Sequence, residues 1–234
     1  MRYDVKGWCP SALRPMLSGD GYLLRIRPPL GRLTSPQGVG LANLARDLGS
    51  GVIELTNRAN LQIRGLAEDT HNPASEILAE LGLLDPARER APSTIVSPFA
   101  QEEDYALARA LEAAMTDAPE LPGKFGIAVD TGPLPVLANT PADIRLERDA
   151  SGHIILRLDG QDQGTPATLD HAPQMVREVI QWYALQGGTD RMAELTRGGA
   201  TRSAPFSPTQ PAQMPLSPPT PGPCLLYTSP SPRD

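Results

Sequence analysis

Two short stretches carry the residues best suited to chemistry. In Leu55-Thr-Asn-Arg-Ala-Asn-Leu-Gln-Ile-Arg-Gly65, the polar residues Arg58, Asn60, Gln62 and Arg64 alternate with Ala59, Leu61 and Ile63. Side chains of a strand point to opposite faces with period two, so the alternation predicts one apolar face and one face of guanidinium forks and amides. Tyr22-Leu-Leu-Arg-Ile-Arg27 repeats the pattern, setting Arg25 and Arg27 against Leu24 and Ile26. If both strands share a sheet, one surface presents four arginines with two amide side chains among them. A guanidinium is permanently charged and grips a carboxylate or phosphate with two parallel hydrogen bonds, so such a surface suits a polyanionic ligand. The competing reading is a solvated sheet face that binds nothing.

Lys124 is the other cation singled out, because Pro122-Gly123 precedes it and an apolar strand pattern follows. A turn there holds the ammonium at the mouth of a strand, although a solvated loop lysine has the same signature. Other chemistries find little support. His71, His153 and His171 stand alone, and Cys9 between Trp8 and Pro10 reads as a small buried hydrophobe. No nucleophilic triad or dinucleotide fingerprint occurs, and the glycines at 19, 21, 38, 40, 49 and 51 lack the spacing of a phosphate cradle.

The elements that must position these residues alternate between periods of two and 3.6. Strand 22–27 ends at Pro28-Pro29, and a helix follows with Ser35 as its expected N-cap and Pro36 in its first turn. Val52–Leu55 and Asn60–Leu66 read as strands, and a second helix starts at Asn72-Pro73. This β-α-β-β-α order is most of a ferredoxin-like split unit, in which helices cover one sheet face and leave the other open. Residues 1–21 read as an extended lead-in. Beyond residue 86, an irregular link holds a short strand at 94–96. A helix over 101–117, strands at 143–147 and 153–158, and a helix over 172–186 then describe a second α+β layer pair. The expected organisation is therefore a ferredoxin-like domain over 1–86 and an α+β domain over 87–197.

Eight prolines between Pro205 and Pro223 mark 198–223 as a semi-extended linker. Residues 224–234 translate the end of a transposon sequencing adapter, so they are expected to be an artefact, with the natural protein continuing past Pro223. The 234 residues are 40% hydrophobic with net charge −6, which fits one large or two small domains and argues against general nucleic-acid binding. No apolar run reaches the eighteen or so residues of a membrane span, and no signal peptide is evident, so a cytoplasmic location and no membrane partner are expected.

Several segments, in order over roughly 6–197, resemble the sulfite and nitrite reductase superfamily, and within it the branch that makes precorrin-3B in aerobic cobalamin biosynthesis. They are Lys6-Gly-Trp-Cys-Pro10, Leu13-Arg-Pro15, Ser18-Gly-Asp-Gly21, Arg32-Leu-Thr34, the Leu55–Gly65 stretch, Leu121-Pro-Gly-Lys-Phe-Gly126 and Asp143-Ile-Arg-Leu146. The resemblance implies ferredoxin-like and α+β halves duplicated around a tetrapyrrole site, of which this chain is similar to the first. It implies a [4Fe–4S] cluster with a further iron or sirohaem, the cluster held by four cysteines of the second half, one pair spaced C-x₅-C and the other C-x₃-C. It also implies that Arg58 and Lys124 face the reaction centre, with Arg25, Arg27, Asn60, Gln62 and Arg64 as substrate-binding candidates. The second lysine of the reductases falls at Gly126, and a further reductase arginine falls near Pro92, where Arg90 is the nearest substitute. In the synthase branch the implied reaction is oxygen-dependent hydroxylation of precorrin-3A with lactone formation, using O2 and an electron donor that the sequence does not name. Two other readings stand beside it. One is a sirohaem-dependent sulfite or nitrite reductase, and the other a non-catalytic ferredoxin-like module that binds an anion.

Overall fold

A computed structural model describes residues 10–132, 135–188, 191–199 and 204–213. Cys9, Cys224 and the 224–234 tail lie outside the described residues, as do parts of the Pro-rich stretch. No helix among the described residues is long and apolar enough to cross a membrane.

The first unit is an antiparallel sheet of order β1-β2-β4-β3, formed by β1 (Met16–Ser18), β2 (Gly21–Ile26), β3 (Ile53–Leu55) and β4 (Leu61–Leu66). Helices α1 (Ser35–Leu48) and α2 (His71–Glu80) cover one face. Leu24, Ile26, Leu61, Ile63 and Leu66 meet Leu41, Leu44 and Leu78 there in one aliphatic core. Three details differ from the sequence reading. The lead-in contributes β1, which folds back on β2 through a turn at Gly19-Asp20. The cap of α1 is Thr34 rather than Ser35. Its hydroxyl accepts from the Gln37 amide while the Gln37 side chain accepts from the Thr34 amide, satisfying two otherwise orphaned donors.

The third difference concerns the site residues. β4 begins at Leu61, so Arg58 and Asn60 are not part of the alternating strand face. Ala59 has φ of 54°, and this left-handed residue breaks the alternation within the Thr56–Asn60 turn. At the other end Gly65, with φ of 73°, forms a bulge against β2. That extra residue lets both Ile63 and Leu66 reach the core despite their odd spacing. A Cβ at Gly65 would lie 2.8 Å from that of Ser50.

The second unit is a six-stranded sheet of order β10-β9-β8-β7-β6-β5. Strands β5 (Ser93–Val96), β6 (Gly126–Asp130) and β7 (Ile144–Arg148) are parallel. β8 (Ile154–Leu158), β9 (Gln163–Pro166) and β10 (Gln210–Pro211) continue antiparallel. Helices α4 (Glu102–Ala114) and α5 (Ala172–Leu185) bury Leu107, Leu111, Val176, Val179 and Tyr183 against Ile127, Val129, Ile144 and Leu146. The opposite face carries charged residues that are satisfied within the unit: Arg145 bonds the Leu137 and Thr140 carbonyls, and Arg157 grips Glu147. Ala204 and Phe206 pack on this unit's core and β10 pairs with β9, so residues 204–213, expected within a linker, are docked.

Leu30 joins the two units. It lies in a 3-10 turn (Pro29–Gly31) just after β2, yet it is buried in the core of the second unit. Beside it the Arg32 guanidinium stands 4.5 Å above the Tyr105 ring. A short helix, α3 (Pro86–Arg90), fills the link before β5.

Candidate functional site

The Lys124 carbonyl lies at the junction of the two units. Its position is fixed locally: the Phe125 amide donates to the Pro122 carbonyl at 2.7 Å, closing a tight turn. Phe125 is buried, with its ring 4.8 Å from that of Tyr183. Arg58 reaches across from the Thr56–Asn60 turn and donates to this carbonyl at 2.6 Å. Arg191, immediately before α6 (Met192–Arg197), donates to the same oxygen at 3.0 Å. Two guanidiniums are thereby gathered on one backbone oxygen of the exposed Lys124.

Asp143 holds that arrangement together. Its carboxylate accepts from Gly126 N at 3.0 Å, from Arg191 Nε at 2.9 Å and from Met192 N at 3.1 Å, and it is 0% exposed. It therefore ties the starts of β6, β7 and α6 to each other. Burial pushes its carboxyl above the ordinary range, against the donation from Met192, Arg191 and Gly126.

The remaining candidates separate. Arg25, Gln62 and Glu54 stand side by side on the open face of the first sheet, in register across β2, β4 and β3. That face is not uniformly cationic. Arg64 donates to Asp20 at 2.8 Å and to Ser18 at 2.9 Å, with Glu54 at 3.4 Å, so its charge is balanced within the unit. The Arg64 hydrogen bond is the main reason the Asp20 carboxyl is lowered to about 2. Arg27 leaves the ligand face altogether. It donates to the carbonyls of Arg88 (2.9 Å), Glu89 (3.1 Å) and Ala91 (3.1 Å), capping the C-terminal end of α3. Asn60 is buried, with its backbone closing the turn against Thr56. Arg25 keeps a buried Nε that has no acceptor.

Next to Arg58 is a shallow, open cleft between the units, lined among others by Arg27, Asn60, Arg88, Pro92 and Glu112. Arg90 does not line it; Arg88 does. Arg191, Arg88 and Glu112 had no signal in the sequence, and Asp143 had only its place in a segment of the family resemblance. Their alternation and spacing are ordinary, and only chain crossings bring them to Arg58. No group of histidine, cysteine or carboxylate side chains among the described residues is placed to hold a metal ion.

Comparison with known proteins defines the class first. The model of the nitrite/sulfite reductase ferredoxin-like half domain matches residues 14–81, the first sheet with its two helices. Among solved structures, the Mycobacterium tuberculosis NirA protein superposes with a TM-score of 0.57, covering 83% of this chain and 42% of that one. At 14% identity, that likeness is one of fold. The chain is an α+β protein whose first unit matches a nitrite/sulfite reductase ferredoxin-like half domain. The particular likeness is to precorrin-3B synthase of a Sinorhizobium species, 34% identical over 149 residues, or 61% of this chain and 32% of that protein. Together these findings fit a precorrin-3B synthase-like protein, and the chain spans about a third of the length of that curated relative.

Proposed function

We propose that this chain supplies the anion-binding part of an oxidoreductase acting on an acidic tetrapyrrole, in the manner of precorrin-3B synthase. The reaction is the oxygen-dependent hydroxylation of precorrin-3A with lactone formation. The observation that carries this reading is the convergence of Arg58 and Arg191 on the carbonyl of the exposed Lys124. A tetrapyrrole presents several carboxylates on a rigid ring. Cations already fixed to the backbone bind such a ligand with little loss of side-chain freedom. In this scheme Arg58 and Lys124 face the macrocycle, and Asp143 orients Arg191. Arg25 and Gln62 remain as outer contacts on the open sheet face.

Gly126 favours this reading over a sulfite or nitrite reductase. A Cβ there would stand 3.3 Å from the Ser93 carbonyl oxygen and 3.8 Å from the Arg58 guanidinium, so a lysine would be crowded against β5 and would add a further cation beside Arg58.

The redox chemistry belongs to a [4Fe–4S] cluster and a further iron or sirohaem, with O2 and an electron donor as partners. The cluster needs about four thiolates, whereas the chain has two cysteines, neither among the described residues. These residues do not fit a cluster. The cations do fit a tetrapyrrole's carboxylates.

The test is equilibrium titration of the chain with uroporphyrin III, a carboxylate-rich tetrapyrrole, followed by its visible absorption. Saturable binding that weakens with salt and with Arg58→Ala or Lys124→Ala is expected. A spectrum unchanged at all protein concentrations overturns the proposal.

A further inference from the structure

Arg58 projects from a turn that a single residue holds together. The Thr56 amide donates to the Asn60 carbonyl at 2.9 Å, and the Thr56 carbonyl accepts from the Ala59 amide at 3.2 Å. The Thr56 hydroxyl accepts from the Asn60 amide at 3.2 Å and from the Arg58 amide at 3.4 Å. Its Oγ1 thus ties down the residues on both sides of Ala59, whose φ is 54°. An alanine in the left-handed region is unfavourable because its Cβ crowds the following carbonyl, so its neighbours must hold it there.

Behind the turn stands the 3-10 segment Pro29–Gly31. A Cβ at Gly31 would lie 3.2 Å from that of Ala59, so the turn rests directly on Gly31. The preceding Leu30 is also left-handed, with φ of 52°, and its side chain is buried in the core of the second unit. That same unit supplies the Lys124 carbonyl on which the Arg58 guanidinium ends. Both the base and the tip of Arg58 are therefore fixed relative to the second unit.

We infer that Thr56 is a positioning residue for Arg58: its hydroxyl locks the left-handed turn at Ala59 against Gly31 and so aims the guanidinium before a ligand arrives. The inference rests on the proposed function for its consequence. A preset guanidinium spares the entropy of ordering a long side chain when a tetrapyrrole carboxylate binds. Thr56 acts only through Arg58.

The experiment compares Thr56→Val, which keeps the side-chain shape and loses the acceptor, with Thr56→Ser, which keeps the acceptor. Unchanged amide spectra away from residues 56–60 establish that both variants are folded. The first readout needs no ligand. It is the ¹³C′ chemical shift of Lys124, with Arg58→Ala marking its value when the Arg58 donor is gone. Thr56→Val should move the shift toward that value, and Thr56→Ser should leave it near wild type. An unmoved Lys124 carbonyl in Thr56→Val overturns the positioning role. The second readout is affinity for uroporphyrin III. Thr56→Val should weaken it about three- to tenfold, the cost of ordering one freed side chain, and Thr56→Ser should retain it. Added to Arg58→Ala, Thr56→Val should have no further effect. An equal loss in both backgrounds, or none in either, overturns the inference. If the wild type binds no porphyrin, the proposed function falls, while the Lys124 shift still decides whether Thr56 aims Arg58.

Discussion

Arg58 and Lys124, 66 residues apart, meet through the Arg58 guanidinium Nη1 and the Lys124 backbone oxygen at 2.6 Å, not through the lysine ammonium. The Lys124 carbonyl thus holds the Arg58 guanidinium at the junction of the two units. If a ligand carboxylate completes this arrangement, Arg58→Ala should weaken acidic-tetrapyrrole binding by about 2–5 kcal/mol. Calorimetric titration of the wild type and the variant checks this. A loss below about 0.5 kcal/mol places Arg58 on a merely solvated surface.

Arg27 has a structural role with a different signature. Arg27→Ala strips donors from three carbonyls at the end of α3, all of them in part-buried bonds. Stability should fall by about 2–4 kcal/mol, read from the urea midpoint. Arg25→Ala, which removes a side chain with an unpaired Nε, should fall by far less.

The Asp20–Arg64 pair predicts a pH effect of definite sign. The folded-state value of Asp20, about 2, lies below the ordinary 3.8. Its contribution to stability is therefore fully present above about pH 4 and is lost as pH falls toward about 2. Carboxyl ¹³C titration should return Asp20 close to its ordinary value in Arg64→Gln. An unchanged Asp20 titration would show that the pair does not persist in solution.

Asp143 should behave in the opposite sense. Its folded value is raised, so its contribution is greatest below about pH 4 and declines as pH rises through the raised value. Asp143→Ala leaves Gly126 N, Met192 N and Arg191 Nε without their acceptor. A loss of about 3 kcal/mol or more is expected in chemical denaturation. Arg191→Ala removes the compensating cation and should steepen the loss of stability with rising pH. A variant with the same pH profile as wild type would disconnect the two residues.

What the sequence determined was local. The alternation of Leu24 and Ile26 with Arg25, the helix over 35–48 and the strand after Gly123 are visible because burial on one face of an element imposes its period on the chain. The ferredoxin-like order and the pairing of 144–148 with 154–158 follow from those periods and the turns between them. The family resemblance also singled out Arg58 and Lys124 together. What only the tertiary structure decided was which cation is available to a ligand. A single left-handed residue, Ala59, takes Arg58 off the strand face. Partners 44 and 61 to 64 residues away occupy Arg64 and Arg27. The approach of α3, α4 and α6 to the Thr56–Asn60 turn brings Arg88, Glu112 and Arg191 to its edge. A side chain's charge is written in the sequence, but its partner is set by whichever distant segment packs beside it, and that is fixed only when the two units close around Leu30.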